Sequence, residues 1–244
     1  MSNIQKIILI TGAARRIGAE IARTFHQTGY GVVLHYRDSS DEAATLVKLL
    51  NEARENSAWA VQANVQSVSQ IQQMVAEVLE KTGRLDVLVN NASTFYATSV
   101  DGATEEQWDD LIGSNLKAPF FVSQAAFPAL KNTRGCIVNI VDIHAKRSLR
   151  HYPVYSVAKS GLSALTESLA KELAPDVRVN GVSPGVILWP ENQSQDTRYE
   201  IINKIPLQRQ GLPRDIADTV LFLAVKASYI TGQVIAVDGG KSLV

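Results

Sequence analysis

The chain has 244 residues, 45% of them hydrophobic and 20% charged, enough for a large core in one α/β domain or two small ones. Its 24 basic and 24 acidic side chains cancel, which removes any sequence-wide electrostatic case for nucleic acid or an anionic membrane. No apolar run reaches the ~18–20 residues of a spanning helix, the start MSNIQK lacks a signal-peptide pattern, and a single cysteine excludes an internal disulfide; a soluble, cytoplasmic protein is expected.

Short β-branched runs alternate with amphipathic ones. KIILIT (6–11) reads as the first strand and IGAEIARTFHQTG as the helix after it. GVVLHY (31–36) and DEAATLVKLLNEAR follow, then AWAVQA (58–63) and SVSQIQQMVAEVLEKTG. LDVLVNN (85–91), GCIVNIV (135–141), VRVNGVS (177–183) and QVIAVD (233–238) complete seven strands, with PVYSVAKSGLSALTESLAKELA helical between the fifth and sixth. Strands apolar on both faces and separated by helices specify a parallel sheet covered on each side. Seven of them fit a single Rossmann-type, doubly wound domain over residues 1–244. Cys136, inside GCIVNIV, reads as a buried strand residue. The least patterned stretch, 184–211, reads either as a substrate loop or as a tolerated surface insertion.

The chemistry-bearing residues sit at strand ends. TGAARRIG (11–18) follows the first strand; Gly12 permits the tight turn, Gly18 a close helix approach, and the helix-start amides face a pyrophosphate. The second strand ends HYRDSS, presenting both a cation and a carboxylate. Arg37 comes first, and Arg15 adds a second guanidinium. Two such groups suit a ribose 2′-phosphate, so NADPH is favoured over NADH. NNAS (90–93), at the end of strand four, reads equally well as ligand-facing or as capping its own loop. Tyr155 and Lys159, four apart in a helical run, share one face. A nearby ammonium lowers a phenol pKa from about 10, and a shift of two or three units takes roughly 3–4 kcal/mol.

TGAARRIG, NNAS, Asn115, Tyr155-x-x-x-Lys159 and SPG (183–185), in this order, resemble the short-chain dehydrogenase/reductase family across the whole chain, down to VDGG. The resemblance implies that Tyr155 donates a proton, that Lys159 binds the nicotinamide ribose and lowers the tyrosine pKa, and that Asn115 helps hold a water relay. It places the cofactor against Gly12, Arg15, Arg16, Ile17, Gly18, His35, Tyr36 and Arg37, then Asn64, Asn91, Ala92, Ser93, Tyr155, Lys159, Pro184 and Gly185. Asn64 stands where the family usually has an aspartate near adenine. Thirteen residues before Tyr155 the family has a carbonyl-polarising serine; here it is Asp142, an anion that cannot donate to a developing alkoxide. Arg16 replaces a usual glycine.

Arg16, NNASTFY (90–96), Asp142, LHYR and SYITGQVIAVDGGKSL (228–243) together are similar to the pteridine reductase branch. That likeness implies that Asp142 and Tyr155 protonate a ring nitrogen and that Phe95 sandwiches the pterin against nicotinamide. Ser93 and Arg16 bond the pterin edge and the cofactor phosphates, and Tyr96 lines the same pocket. No site role falls to His144, His151 or Tyr152, and no metal is expected. The expected activity is NADPH-dependent reduction of a small-molecule pterin, with dihydrofolate or folate as further substrates. Its rivals are a generic reductase of a keto or hydroxy compound and a non-catalytic NADP-binding protein. A homotetramer is expected by the same likeness, with helices around 104–131 and 154–174 and the last strand between subunits.

Overall fold

The computed structural model describes residues 5–189 and 194–244. Among these, the strands are β1 (Ile7–Ile10), β2 (Gly31–Tyr36), β3 (Ala58–Gln62), β4 (Val87–Asn90), β5 (Cys136–Ile140), β6 (Arg178–Pro184) and β7 (Val234–Val237). Each lies within two residues of its predicted run. The sheet order is β3-β2-β1-β4-β5-β6-β7 and every pairing is parallel. The chain winds outward from β1 to β3, then returns to pair β4 with β1. That reversal opens a crevice at the carboxyl ends of β1 and β4, where ligands bind in such sheets.

The helices are α1 (Arg16–Gln27), α2 (Ser40–Ala53), α3 (Val68–Thr82), α4 (Glu105–Ile112), α5 (Ala118–Thr133), α6 (Pro153–Leu173), α7 (Gln195–Asn203) and α8 (Pro213–Val225). The two faces of β1 show why both sides of the sheet must be covered. Ile8 and Ile10 pack with Ile21 and Phe25 of α1 and with Val220 and Leu223 of α8. Ile7 and Leu9 point the other way, into a cluster with Ile71 and Val75 of α3 and Val122 and Leu130 of α5. Each fully buried aliphatic or aromatic side chain of this kind contributes about 1.5–3 kcal/mol relative to exposure.

Local signals set the ends of the helices. Ser67 caps α3 and Gly83, at φ +70°, ends it. Thr104 and Gln107 form a reciprocal capping box at the start of α4. The span predicted as one helical region around 104–131 is divided: a π-turn, Gly113–Lys117, joins α4 to α5. Pro153 opens α6 at a position where its missing N–H costs nothing. The 184–211 stretch contains α7, which the sequence pattern did not predict, and Trp189 Nε1 donates to Gln210 Oε1 at 2.7 Å across its base. Residues 190–193 of that stretch lie outside the described residues. Among the described residues no helix is long and apolar enough to cross a membrane.

Candidate active site

The turn after β1 is held from below. Gly12 has φ +64°, and a Cβ there would stand 2.9 Å from Ala92 Cα. A Cβ on Gly18 would collide with the Gly12 carbonyl and reach 2.7 Å from Asn91 Nδ2, so α1 begins flush against the turn. The Asn91 amide donates to the carbonyls of Thr11 and Gly12, both at 2.9 Å, and Thr11 Oγ1 accepts from the Asn91 and Ala92 amides. His35 Nδ1 accepts from the Gly12 amide at 3.0 Å, which leaves Nε2 to donate to the Ala63 carbonyl at 3.0 Å. Burial pushes the His35 pKa down to about 4 against the opposing pull of the Ala63 bond. His35 and the Asn91 side chain, predicted as cofactor contacts, both hydrogen-bond within the turn and shape it. Ile17 packs against the core.

Arg16 occupies the left-handed region at φ +56°. A non-glycine residue there costs about 1–2 kcal/mol. In return an exposed guanidinium stands at the mouth of the turn.

At the far end of the crevice, Arg37 Nε pairs with Asp38 at 2.6 Å and Arg15 with Glu42 at 3.3 Å. Both pairs are exposed, so each is worth about 0–1 kcal/mol. Tyr36 is half-buried beside them. Asn64 Oδ1 accepts from the Gln66 amide at 3.0 Å, closing the turn after β3. Pro184 ends β6, and a Cβ on Gly185 would stand 2.6 Å from Asp238 Cα.

Asp142 and Tyr155 meet between β5 and α6. Tyr155 Oη donates to Asp142 Oδ2 at 2.8 Å, while Asp142 Oδ1 accepts from the His144 amide at 2.8 Å. One turn along α6, Lys159 Nζ donates to the Ile140 carbonyl at 2.9 Å and stands 5.7 Å from the Tyr155 ring centroid. Burial, then the charge of Asp142 and its hydrogen bond, hold the Tyr155 phenol well above its ordinary pKa. Burial lowers Lys159 to about 8, with Asp142 pulling it back up. The expected depression of the tyrosine by the lysine is not met in this arrangement: burial first, and then the Asp142 carboxylate 2.8 Å from the hydroxyl, act in the opposite direction. The phenol keeps its proton at neutral pH.

The facing wall is the segment after β4. Phe95 is 49% exposed, stacks on Tyr152 (centroids 4.7 Å, 11° between planes) and meets Tyr155 edge-on (4.8 Å, 77°). Tyr152 was given no role from the sequence; its (i, i+3) spacing to Tyr155 is the signal that places both rings together. Ser93 Oγ donates to Asn115 Oδ1 at 2.7 Å, and Asn115 Nδ2 donates to the Thr94 and Leu111 carbonyls, each at 3.0 Å. The Asn115 side chain thus holds this wall. Tyr96, expected to line the pocket, turns its hydroxyl to Asp110 instead. His144 bonds the Arg147 carbonyl through Nδ1, and His151 is exposed.

These residues fit a nicotinamide dinucleotide. The glycine turn leaves a cradle that a Cβ would fill, and the buried ammonium of Lys159 has one protein acceptor for three donors, leaving two for ribose hydroxyls. Among the described residues no group of three or more His, Cys, Asp or Glu is arranged to hold a metal ion.

A family model described as enoyl-(acyl carrier protein) reductase matches residues 12–242. The chain is 38% identical to pteridine reductase 1 of Leishmania tarentolae, over 97% of this chain and 96% of that protein. It is equally, 38%, identical to the 3-oxoacyl-[acyl-carrier-protein] reductase FabG of Staphylococcus epidermidis, over 97% and 99% of the two chains. FabG of Thermotoga maritima is also 38% identical, over 96% and 97%.

Proposed function

The chain belongs to the short-chain dehydrogenase/reductase family, and we propose that within it the protein is an NADPH-dependent reductase of pterins. The observation that carries this reading is the 2.8 Å bond from Tyr155 to Asp142 beside the open face of Phe95. Reducing a C=N bond needs hydride at carbon and a proton at nitrogen. When bound, the dinucleotide supplies the hydride. Phe95 offers a flat apolar face on which a bicyclic heteroaromatic stacks. Tyr155 delivers its proton to the ring nitrogen, and Asp142 holds that hydroxyl in place and passes a proton taken from solvent back to the phenolate. Lys159 orients the nicotinamide ribose, and Arg15 with Arg37 receives the 2′-phosphate. Ser93 and Arg16 bond the aminopyrimidinone edge.

A second reading, reduction of a keto group such as that of a 3-oxoacyl thioester, is favoured by the equal identity to FabG proteins. Against it stands the use of both Asp142 oxygens as acceptors, which leaves Tyr155 alone to stabilise an alkoxide. One assay separates the two: NADPH oxidation with biopterin, dihydrobiopterin, dihydrofolate, a 3-oxoacyl thioester and simple ketones. Pterin turnover is expected; turnover on ketones or thioesters alone overturns the proposal, and NADPH binding without any turnover points to a binding protein. We also infer a homotetramer. Exposed Trp108 on α4, Phe120 on α5 and Val157 on α6 support it, as does the part-exposed edge strand β7.

A further inference from the structure

The segment Ser93–Tyr96 forms one wall of the site, yet it has no regular secondary structure. A row of side-chain hydrogen bonds onto α4 and the π-turn holds it instead. Ser93 bonds Asn115 at 2.7 Å, Thr94 Oγ1 bonds Ser114 Oγ at 2.6 Å, and Tyr96 Oη donates to Asp110 Oδ2 at 2.9 Å. Asp110 and Ser114 stand one turn apart, and Asn115 sits on the π-turn beside them, so the row is backed by helical structure. Phe95 is the one member of the segment without such a tie, and its placement is inherited from the residues on either side.

Asp110 is the less expected anchor. Its Oδ1 accepts from Gln66 Nε2 at 2.7 Å, and its main-chain carbonyl accepts from Ser114 Oγ at 2.8 Å. Among the described residues no cation pairs with it within 4.0 Å. Both carboxylate oxygens therefore hold neutral donors, one on the substrate side and one on the turn after β3. Gln66 in turn packs 3.4 Å from where a Gly113 Cβ would be, so it is seated against the π-turn. Burial first, then the Asp110 bond, pushes the Tyr96 phenol to about 12, which keeps it a hydrogen-bond donor throughout the working pH range. This is a brace rather than an acid–base relay.

We infer that Gln66, Asp110 and Tyr96 are positioning residues that set the plane of the Phe95 ring and so select planar, fused-ring substrates. The inference rests on the reading of Phe95 as the stacking surface. Bonds from neutral donors to a charged acceptor are among the stronger ones, and each 1.4 kcal/mol is tenfold in affinity.

The test is steady-state kinetics with dihydrobiopterin, together with NADPH binding and thermal melting. Tyr96→Phe keeps the ring and deletes the hydroxyl. It is expected to raise KM about tenfold, change kcat less than about threefold, and leave NADPH affinity unaltered. Asp110→Ala should do the same. Asp110→Asn should restore KM, because its amide can accept from Gln66 and donate to the Tyr96 oxygen. Unchanged KM in Tyr96→Phe, or equal loss of NADPH affinity, overturns the brace; so does an Asp110→Asn variant as impaired as Asp110→Ala. If Tyr96→Phe does not fold, Gln66→Leu carries the same prediction from the far side. Phe95→Ala separates the two levels: raised KM there with none in Tyr96→Phe sinks the brace alone, whereas no change in either sinks the stacking reading beneath it.

Discussion

Asp142 has two jobs in one carboxylate. Oδ2 receives the Tyr155 hydroxyl and Oδ1 caps the short turn at Ile143–Ala145. Removing it therefore tests two things at once, and the choice of replacement matters. Asp142→Ala should lower pterin turnover by roughly 10²–10⁴. Asp142→Ser keeps a cap and adds a donor, so it should lose pterin turnover similarly while gaining reduction of simple ketones. Parallel steady-state assays on both substrate classes check this; pterin turnover near wild type in both variants removes Asp142 from the mechanism. The sequence showed that an acid stands thirteen residues before the tyrosine, where the family has a serine. It did not show the sign of the tyrosine shift, since the burial that dominates it and the 2.8 Å approach of Asp142 are both tertiary properties. Arg16 is similar. Its place in the turn is legible, but the φ of +56° that makes the residue costly is not.

At the scale of elements, β2 carries the strongest example of a structural titratable group. His35 is neutral in the fold because Nδ1 must accept from Gly12. Its pKa is about 4, below the ordinary 6.5. The native state thus resists a proton that the unfolded chain takes up. The stability this contributes is complete above about pH 6.5, declines as pH falls toward 4, and is lost below that, about 3 kcal/mol at most. Urea denaturation between pH 4 and 7.5 should show a flatter stability curve for His35→Asn than for the wild type. Equal slopes in that window would mean that the ring is not held neutral. Element positions were largely readable, because strands covered on both faces must be apolar throughout. The exception is α7, which buries none of its residues. A helix with no buried face carries no periodic pattern to read. The division of α4 from α5 was hidden for the opposite reason, since a π-turn leaves the helical pattern almost intact.

For the molecule as a whole, the crevice exists because the chain reverses direction between β3 and β4. That topology brings TGAARRIG (11–18), NNAS (90–93) and the Tyr155 helix to one edge of the sheet. The proposed homotetramer belongs to this scale. Size-exclusion chromatography with light scattering is expected to give about four times 26.6 kDa, and a monomer would contradict it. In that proposal the exposed apolar residues of α4 to α6 supply the contacts between copies.

The sequence by itself determined the alternation of strand and helix, the glycine turn, the acid in place of a serine, and the one-turn spacing of Tyr155 and Lys159. These are short-range properties, written in period and neighbour chemistry. Only the tertiary structure decided that His35 and Asn91 face the turn, that Tyr152 backs Phe95, and that Asp110 reaches Tyr96 and Gln66 together. Such partners are set by which strand ends and helix faces the sheet order brings into hydrogen-bond range, and no local pattern encodes that.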